Sequence, residues 1–148
     1  LNKYQNMKEL YQLIVAELKT ISAIKWIDFD YGQLESEQIG LKYPCALLKL
    51  SANNKDIDEE GSQEKKWTVQ IRLAWDAIGA RTSADTPESV LERSLAWSDT
   101  ATEVYDLFQG NELGDFSAFE CTSEGQETRS DGLVVYQYTF STAKLTFK

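Results

Sequence analysis

The pattern of apolar and polar positions begins with an amphipathic helix. Over the first 25 residues, apolar side chains recur at intervals of three and four, which is typical of a helix that buries one face. The stripe consists of Tyr4, Met7, Tyr11, Ile14, Leu18 and Ile21, widened by Leu10, Leu13 and Val15. Because no second helix follows closely in the sequence, we expect this face to cover a sheet or a neighbouring subunit.

Strands follow this helix, and strict alternation predicts the longest one. Apolar residues occupy every second position at Trp67, Val69, Ile71, Leu73 and Trp75. This period indicates an antiparallel strand with one buried and one solvated face. Two weaker strands precede it, one around Trp26 (residues 24–29) and one at Cys45–Leu50, after Tyr43-Pro44. Residues 52–65 hold one large apolar side chain, Ile57, and we predict that they form an exposed loop.

A start signal precedes the second helix. Thr86 is the predicted N-cap, Pro87 takes the first helical position and Glu88 lies in the first turn, where the helix dipole favours an acid. Gly110 is predicted to end the helix in a left-handed conformation. The inward face is predicted to comprise Val90, Ser94, Trp97, Ala101, Val104 and Phe108.

The last part of the chain predicts a hairpin. Residues 116–129 and 133–147 flank Ser130-Asp131-Gly132, and Asp-Gly favours a tight hairpin turn. The order of elements is therefore α-β-β-β-α-β-β. This order predicts an α+β fold, with an antiparallel sheet of four to five strands and two helices packed on one of its faces. The chain shows no internal repeat or linker, so residues 1–148 are expected to form a single domain.

Composition and charge exclude several classes of function. The chain has 148 residues, with 15 basic and 24 acidic side chains, and the acidic ones concentrate between Asp85 and Asp131. A nucleic-acid binder normally carries a basic stripe, so we expect no direct sequence-specific binding of nucleic acid. No apolar run approaches the roughly 20 residues that a membrane helix needs, so we expect no membrane span.

Histidine is absent, which removes the commonest general base and the commonest metal ligand. Cys45 and Cys121 are isolated and suggest neither a disulfide framework nor a metal site, so we interpret them as buried free thiols in a reducing compartment. The acids from Asp56 to Glu60 do not follow the spacing of a calcium loop. We therefore expect no catalytic residue, metal or cofactor.

In this order of elements the chain resembles the tail-terminator and tail-completion (head-tail joining) proteins of long-tailed bacteriophages and prophages. The resemblance rests on the first helix and on four segments. These are YPCALLKLS (Tyr43–Ser51), KKWTVQIRLAW (Lys65–Trp75), DTPESVLERSLAWSDTATEVYDLFQG (Asp85–Gly110) and VVYQYTFSTAKLTF (residues 134–147). It covers nearly the whole chain and is architectural, without a diagnostic motif.

The resemblance implies a non-enzymatic virion protein, found in the virion and in the bacterial host cytoplasm. Members of this family assemble as a hexameric ring that stops polymerisation of the tail tube and offers a surface to the head connector. The implied partners are therefore further copies of the chain, the tail-tube protein and the head-connector protein.

We place the partner contacts in the polar segment Asn53–Lys66, which on this interpretation reaches into the ring or along the tube axis. Its contact residues are predicted to be Lys55, Asp58, Glu59, Glu64 and Lys66. Trp26 is a sixth predicted contact, because it lies between charged residues on a weak strand and Trp is enriched at interface anchors.

A function of another class fits the same elements. A small cytoplasmic α+β domain could bind a ligand, or act as an adaptor, through a cleft beneath its helices. An apolar pocket near Trp26 with a few convergent polar groups would favour this alternative. An enzyme would have to work through carboxylates alone, and we rank it third.

Overall fold

Five strands and two long helices make up the computed structural model, which describes residues 6–36, 40–76 and 84–147. In chain order the elements are α1 (Asn6–Leu18), β1 (Trp26–Phe29), a 3-10 helix (Gln33–Glu35), β2 (Cys45–Asp56), β3 (Gln63–Trp75), α2 (Glu88–Phe108), β4 (Glu120–Gln126) and β5 (Val134–Thr146). This order confirms the predicted α+β fold. In these described parts of the chain, neither helix is long and apolar enough to cross a membrane.

The strands form one sheet in the order β1-β2-β3-β5-β4. The central strand β3 pairs antiparallel with β2 and with β5 along its whole length. β1, in contrast, runs parallel to β2, with Trp26 opposite Cys45. The sheet is therefore mixed, and the prediction of a purely antiparallel sheet was wrong for this strand. The reason is the connection: the chain from β1 crosses over through the 3-10 helix before β2, whereas an antiparallel pair needs only a short turn.

Both long helices pack on one face of the sheet, which we call the helix side. The alternating residues of β3 lie here, against Leu10, Ile14 and Leu18 of α1 and against Ala101, Val104 and Phe108 of α2. The predicted stripe of α1 is correct except at Met7, which is 48% exposed. Leu10, one turn further on, is fully buried. Tyr4 lies outside the described residues. In α2, Val90, Ser94 and Trp97 are half-buried.

The opposite face, which we call the open face, is not solvated along its full length. A second cluster of buried side chains lies there: Leu34, Cys45, Leu47, Ala74 and Val135. Arg72, predicted on the solvated face of β3, is 8% exposed. The expectation of a fully wet face was therefore wrong, because the 3-10 helix and Leu41 and Tyr43 fold back over this end of the sheet.

Residues 52–65 are mostly strand rather than loop, because β2 extends to Asp56 and β3 begins at Gln63, with a turn between them. β5 continues beside them, with Gln63 opposite Thr146. We call this three-stranded extension, residues 53–66 with 143–147, the arm. Polar residues occupy both faces of its first strand, so the sequence carries no apolar alternation from which a strand could be recognised.

The ends of α2 and the terminal hairpin follow the prediction closely. The helix begins at Glu88 with Pro87, rather than Thr86, at the N-cap position, because the Pro87 carbonyl accepts the first intrahelical hydrogen bonds. Gly110 is left-handed, with φ of 78°, as predicted. β4 pairs with β5, but it begins at Glu120 rather than 116, since Phe116 and Phe119 pack into the core from the loop before it.

Candidate interaction surfaces

The arm brings together five of the six predicted contact residues. Lys55 lies opposite Glu64, and Asn53 lies opposite Lys66. By the alternation of the strands, Lys55, Glu64 and Lys66 share the open face. Lys55 and Lys66 are exposed and Glu64 is half-buried. The arm thus presents both signs of charge on one accessible surface.

The remaining two arm residues lie in the turn between β2 and β3. The Asp58 carboxylate accepts the main-chain N–H groups of Ser62, at 3.0 Å, and of Glu60, at 2.9 Å. These hydrogen bonds, led by that from Ser62, lower the pKa of Asp58. Ile57 N–H also donates to the Ser62 carbonyl at 3.0 Å. Asp58 therefore shapes the turn, whereas Glu59 is exposed at its tip.

Trp26 does not join the arm. It lies at the start of β1 opposite Cys45, at the other end of β2, and is 36% exposed. The other three tryptophans are more deeply buried, with Trp67 and Trp75 in the core and Trp97 half-buried. Trp26 is thus the most exposed of the four tryptophans, and its role as a contact stays a prediction.

Sequence reasoning missed a cluster of charges on the open face around Arg72. The Arg72 guanidinium donates to Asp30 at 3.1 Å, to Glu35 at 2.6 Å and to Glu127 at 2.9 and 3.0 Å. Burial alone would lower the pKa of Arg72, but these bonds raise it above its usual value. The Arg72 hydrogen bond lowers the pKa of Glu35 in turn. The cluster ties β1, the 3-10 helix and the end of β4 to the middle of the sheet.

A second arginine extends this cluster. Arg129 donates to Asp131 at 2.6 Å and to Glu35 at 3.2 Å. The hydrogen bond from Arg129 lowers the pKa of Asp131 to about 2. In the sequence, the one sign of this cluster is a charged residue between the apolar Ile71 and Leu73. Strand alternation also predicts a polar residue at this position, on a solvated face, so the sign does not distinguish a buried arginine from an exposed one.

A polar cleft of about 620 Å³ opens beside Arg72. Its walls include Lys49, Gln70 and Gln137. A guanidinium has five N–H donors, and those of Arg72 are directed at the three carboxylates. Arg72 therefore has no donor left for an anionic ligand, and we assign it a structural task.

An aromatic groove lies on the helix side between α2 and β5. Trp97 and Tyr105 form one wall and Tyr136 and Tyr138 the other, around about 240 Å³. The Tyr138 hydroxyl donates to the Ala101 carbonyl at 2.7 Å, and burial raises its pKa. The volume is below the roughly 300 Å³ at which small-molecule sites begin. Trp26 does not line this groove or the polar cleft.

The cysteines are free, and their surroundings do not activate them. Cys45 is buried and Cys121 half-buried. Burial raises the pKa of Cys45 to about 11 and also raises that of Cys121, so both are thiols at neutral pH. Within residues 6–36, 40–76 and 84–147 no group of three Cys, Asp or Glu side chains is arranged so that it could hold a metal ion.

Comparison with known proteins shows a likeness in fold. No protein-family model matches the chain, and no curated protein matches its sequence. Among solved structures, it is similar to a chain in the virion of a native gene transfer agent particle, with a TM-score of 0.59 and 12% identity. The likeness covers 95% of this chain and 97% of that chain. At this identity it shows a shared fold.

Proposed function

We propose that this chain is a non-enzymatic structural protein of a phage-related virion. The observation that carries the proposal is the likeness in fold, over nearly the full length of both chains, to a chain of a gene transfer agent virion. A match that spans both chains means that the two domains correspond as wholes rather than in one common supersecondary motif.

Within the virion, we propose the role of a tail terminator: a hexameric ring that ends the tail tube and joins it to the head connector. The arm supports this role, because a three-stranded extension with exposed charged residues suits contact with neighbouring proteins. Its partners would be further copies of the chain, the tail-tube protein and the head-connector protein. Lys55, Asp58, Glu59, Glu64 and Lys66 are the proposed contacts in the arm, and Trp26 is a separate one.

Locating the chain in particles tests this proposal. Nuclease-resistant particles from the source cells would be purified and labelled with an antibody against the chain for electron microscopy. We expect label at the junction of head and tail. Label confined to the distal end of the tail would contradict the terminator role, and particles without the chain would contradict a virion role altogether.

A further inference from the structure

The outer edge of β2 carries main-chain groups that point away from the sheet. The Leu48 carbonyl accepts the Asp30 N–H at 2.8 Å, so it faces away from β3. The Ile57 N–H, in contrast, donates to the Ser62 carbonyl across the turn and therefore faces toward β3. Because alternate residues direct their N–H and C=O groups to opposite edges, even-numbered residues beyond Leu48 face outward. These are Leu50, Ala52, Asn54 and Asp56. Within the described residues, no strand pairs with this edge past Leu48.

The opposite edge of the sheet, on β4, is open over a shorter stretch. Glu127 N–H donates to the Val135 carbonyl of the hairpin at 2.9 Å, which directs Glu124 and Gln126 outward by the same alternation. Cys121 N–H donates to Gln109 Oε1 at 2.7 Å, so this bond caps the edge at its other end. Both Glu124 and Gln126 are exposed. Over residues 6–36, 40–76 and 84–147, each protomer thus has one open edge on each side of its sheet.

We propose that the β4 edge of one copy pairs antiparallel with the β2 edge of the next copy, with Glu124 opposite Asn54 and Gln126 opposite Ala52. This inference rests on the ring proposed above. Within a protomer, β4 runs antiparallel to β2, because each of the three intervening pairs is antiparallel. A ring of copies joined edge to edge preserves these directions, so the two strands meet in the orientation that an antiparallel ladder requires.

The charges next to the two strands favour the register that places Glu124 opposite Asn54. Asn54 and Glu124 both lie on the helix side of the sheet, and Lys65 Nζ donates to Asn54 Oδ1 at 3.4 Å. Lys65 forms no ion pair with any described residue. Glu124 opposite Asn54 therefore meets an unpaired cation, whereas a shift by two residues toward the turn would place it opposite Asp56. Like charges directly opposite each other destabilise a strand pair.

The main-chain part of the contact is tested with Asn54→Pro and its matched control Asn54→Ala. Both remove the side chain, but only proline removes the outward N–H, and proline is tolerated at an edge position whose N–H does not serve the sheet. Circular dichroism and thermal unfolding would verify that both variants fold. By sedimentation velocity over a concentration series, we expect Asn54→Pro to weaken self-association by about tenfold or more relative to Asn54→Ala.

The charged part of the contact is tested by reversal. Lys65→Glu and Glu124→Lys should each weaken self-association when alone, because like charges then meet at every contact. Mixed in equal amounts they should assemble again, since alternating copies restore an opposite pair at each edge. Weakening in both single variants requires two different surfaces in contact, because a two-fold contact between identical edges would contain only one of the two substituted positions.

The outcomes distinguish a failure of the edge pairing from a failure of the proposed ring. Loss of assembly in Asn54→Pro, with recovery in the charge-reversed mixture, supports the edge pairing. Wild-type rings that persist unchanged in Asn54→Pro overturn the pairing and leave the ring standing. A wild-type chain that stays monomeric at every concentration also overturns the pairing, and the location of the chain in particles then decides the proposed function independently.

Discussion

Arg72 joins parts of the chain that are far apart in sequence. Its carboxylate partners Asp30, Glu35 and Glu127 are 42, 37 and 55 positions away. The side chain is 9% exposed, so its charge depends on these partners for the solvation that water would otherwise supply. The carboxylates in turn depend on Arg72, because they converge on one guanidinium.

Removing that guanidinium should destabilise the fold. Arg72→Met leaves three converging carboxylates without their shared cation, and we expect the free energy of unfolding to fall by about 3 kcal/mol. The measurement is urea denaturation followed by tryptophan fluorescence. Arg93→Met is the matched control, because Arg93 is exposed on α2 and forms no ion pair with the described residues. Equal losses in the two variants would refute the structural task of Arg72.

The same cluster predicts sensitivity to acid. The Arg72 hydrogen bond lowers the pKa of Glu35, and that from Arg129 lowers the pKa of Asp131 to about 2. A carboxyl group whose pKa is lower in the folded than in the unfolded protein stabilises the fold at pH values above its unfolded pKa. This stabilisation is lost as the pH falls through the folded pKa.

We therefore expect the melting temperature to drop progressively between about pH 5 and pH 2. Thermal unfolding at intervals of pH would measure it. The decline should be shallower in Arg72→Met, because Glu35 then loses the main cause of its lowered pKa. A melting temperature that is flat over this range in the wild type would count against the cluster.

At the scale of elements, local pattern predicts local structure. Alternation predicted β3, and Pro87 and Gly110 marked the two ends of α2 to within one residue. The parallel pairing of β1 was missed because pairing direction depends on the path between two strands, which periodicity does not record. The arm was missed because a strand that is exposed on both faces buries no apolar side chain.

The left-handed end of α2 gives a prediction at this scale. Gly110 has φ of 78°, and a Cβ there would meet no atom within 4 Å, so only backbone strain opposes a side chain. Gly110→Ala should lower the free energy of unfolding by about 1 kcal/mol. Gly125→Ala is the matched control: Gly125 lies in β4 without a left-handed φ, also in open space, and should cost less. Equal costs in denaturant titrations would contradict this explanation.

For the molecule as a whole, the sequence predicted the α+β architecture but only part of the candidate surface. Five of the six expected contact residues come together in the arm, whereas Trp26 lies at the other end of β2. The open edges of β2 and β4 could not be foreseen, because an edge is defined by the order of strands in the sheet. The Arg72 cluster was hidden for a similar reason, since its members meet only after the sheet has formed.

The ring is the central claim about the whole molecule, and native mass spectrometry over a concentration series tests it most directly. Negative-stain images of the most concentrated sample would show the symmetry. We predict a species of six copies that appears as closed rings with a central opening. A stable dimer with a two-fold interface, or a monomer at every concentration, would contradict the ring.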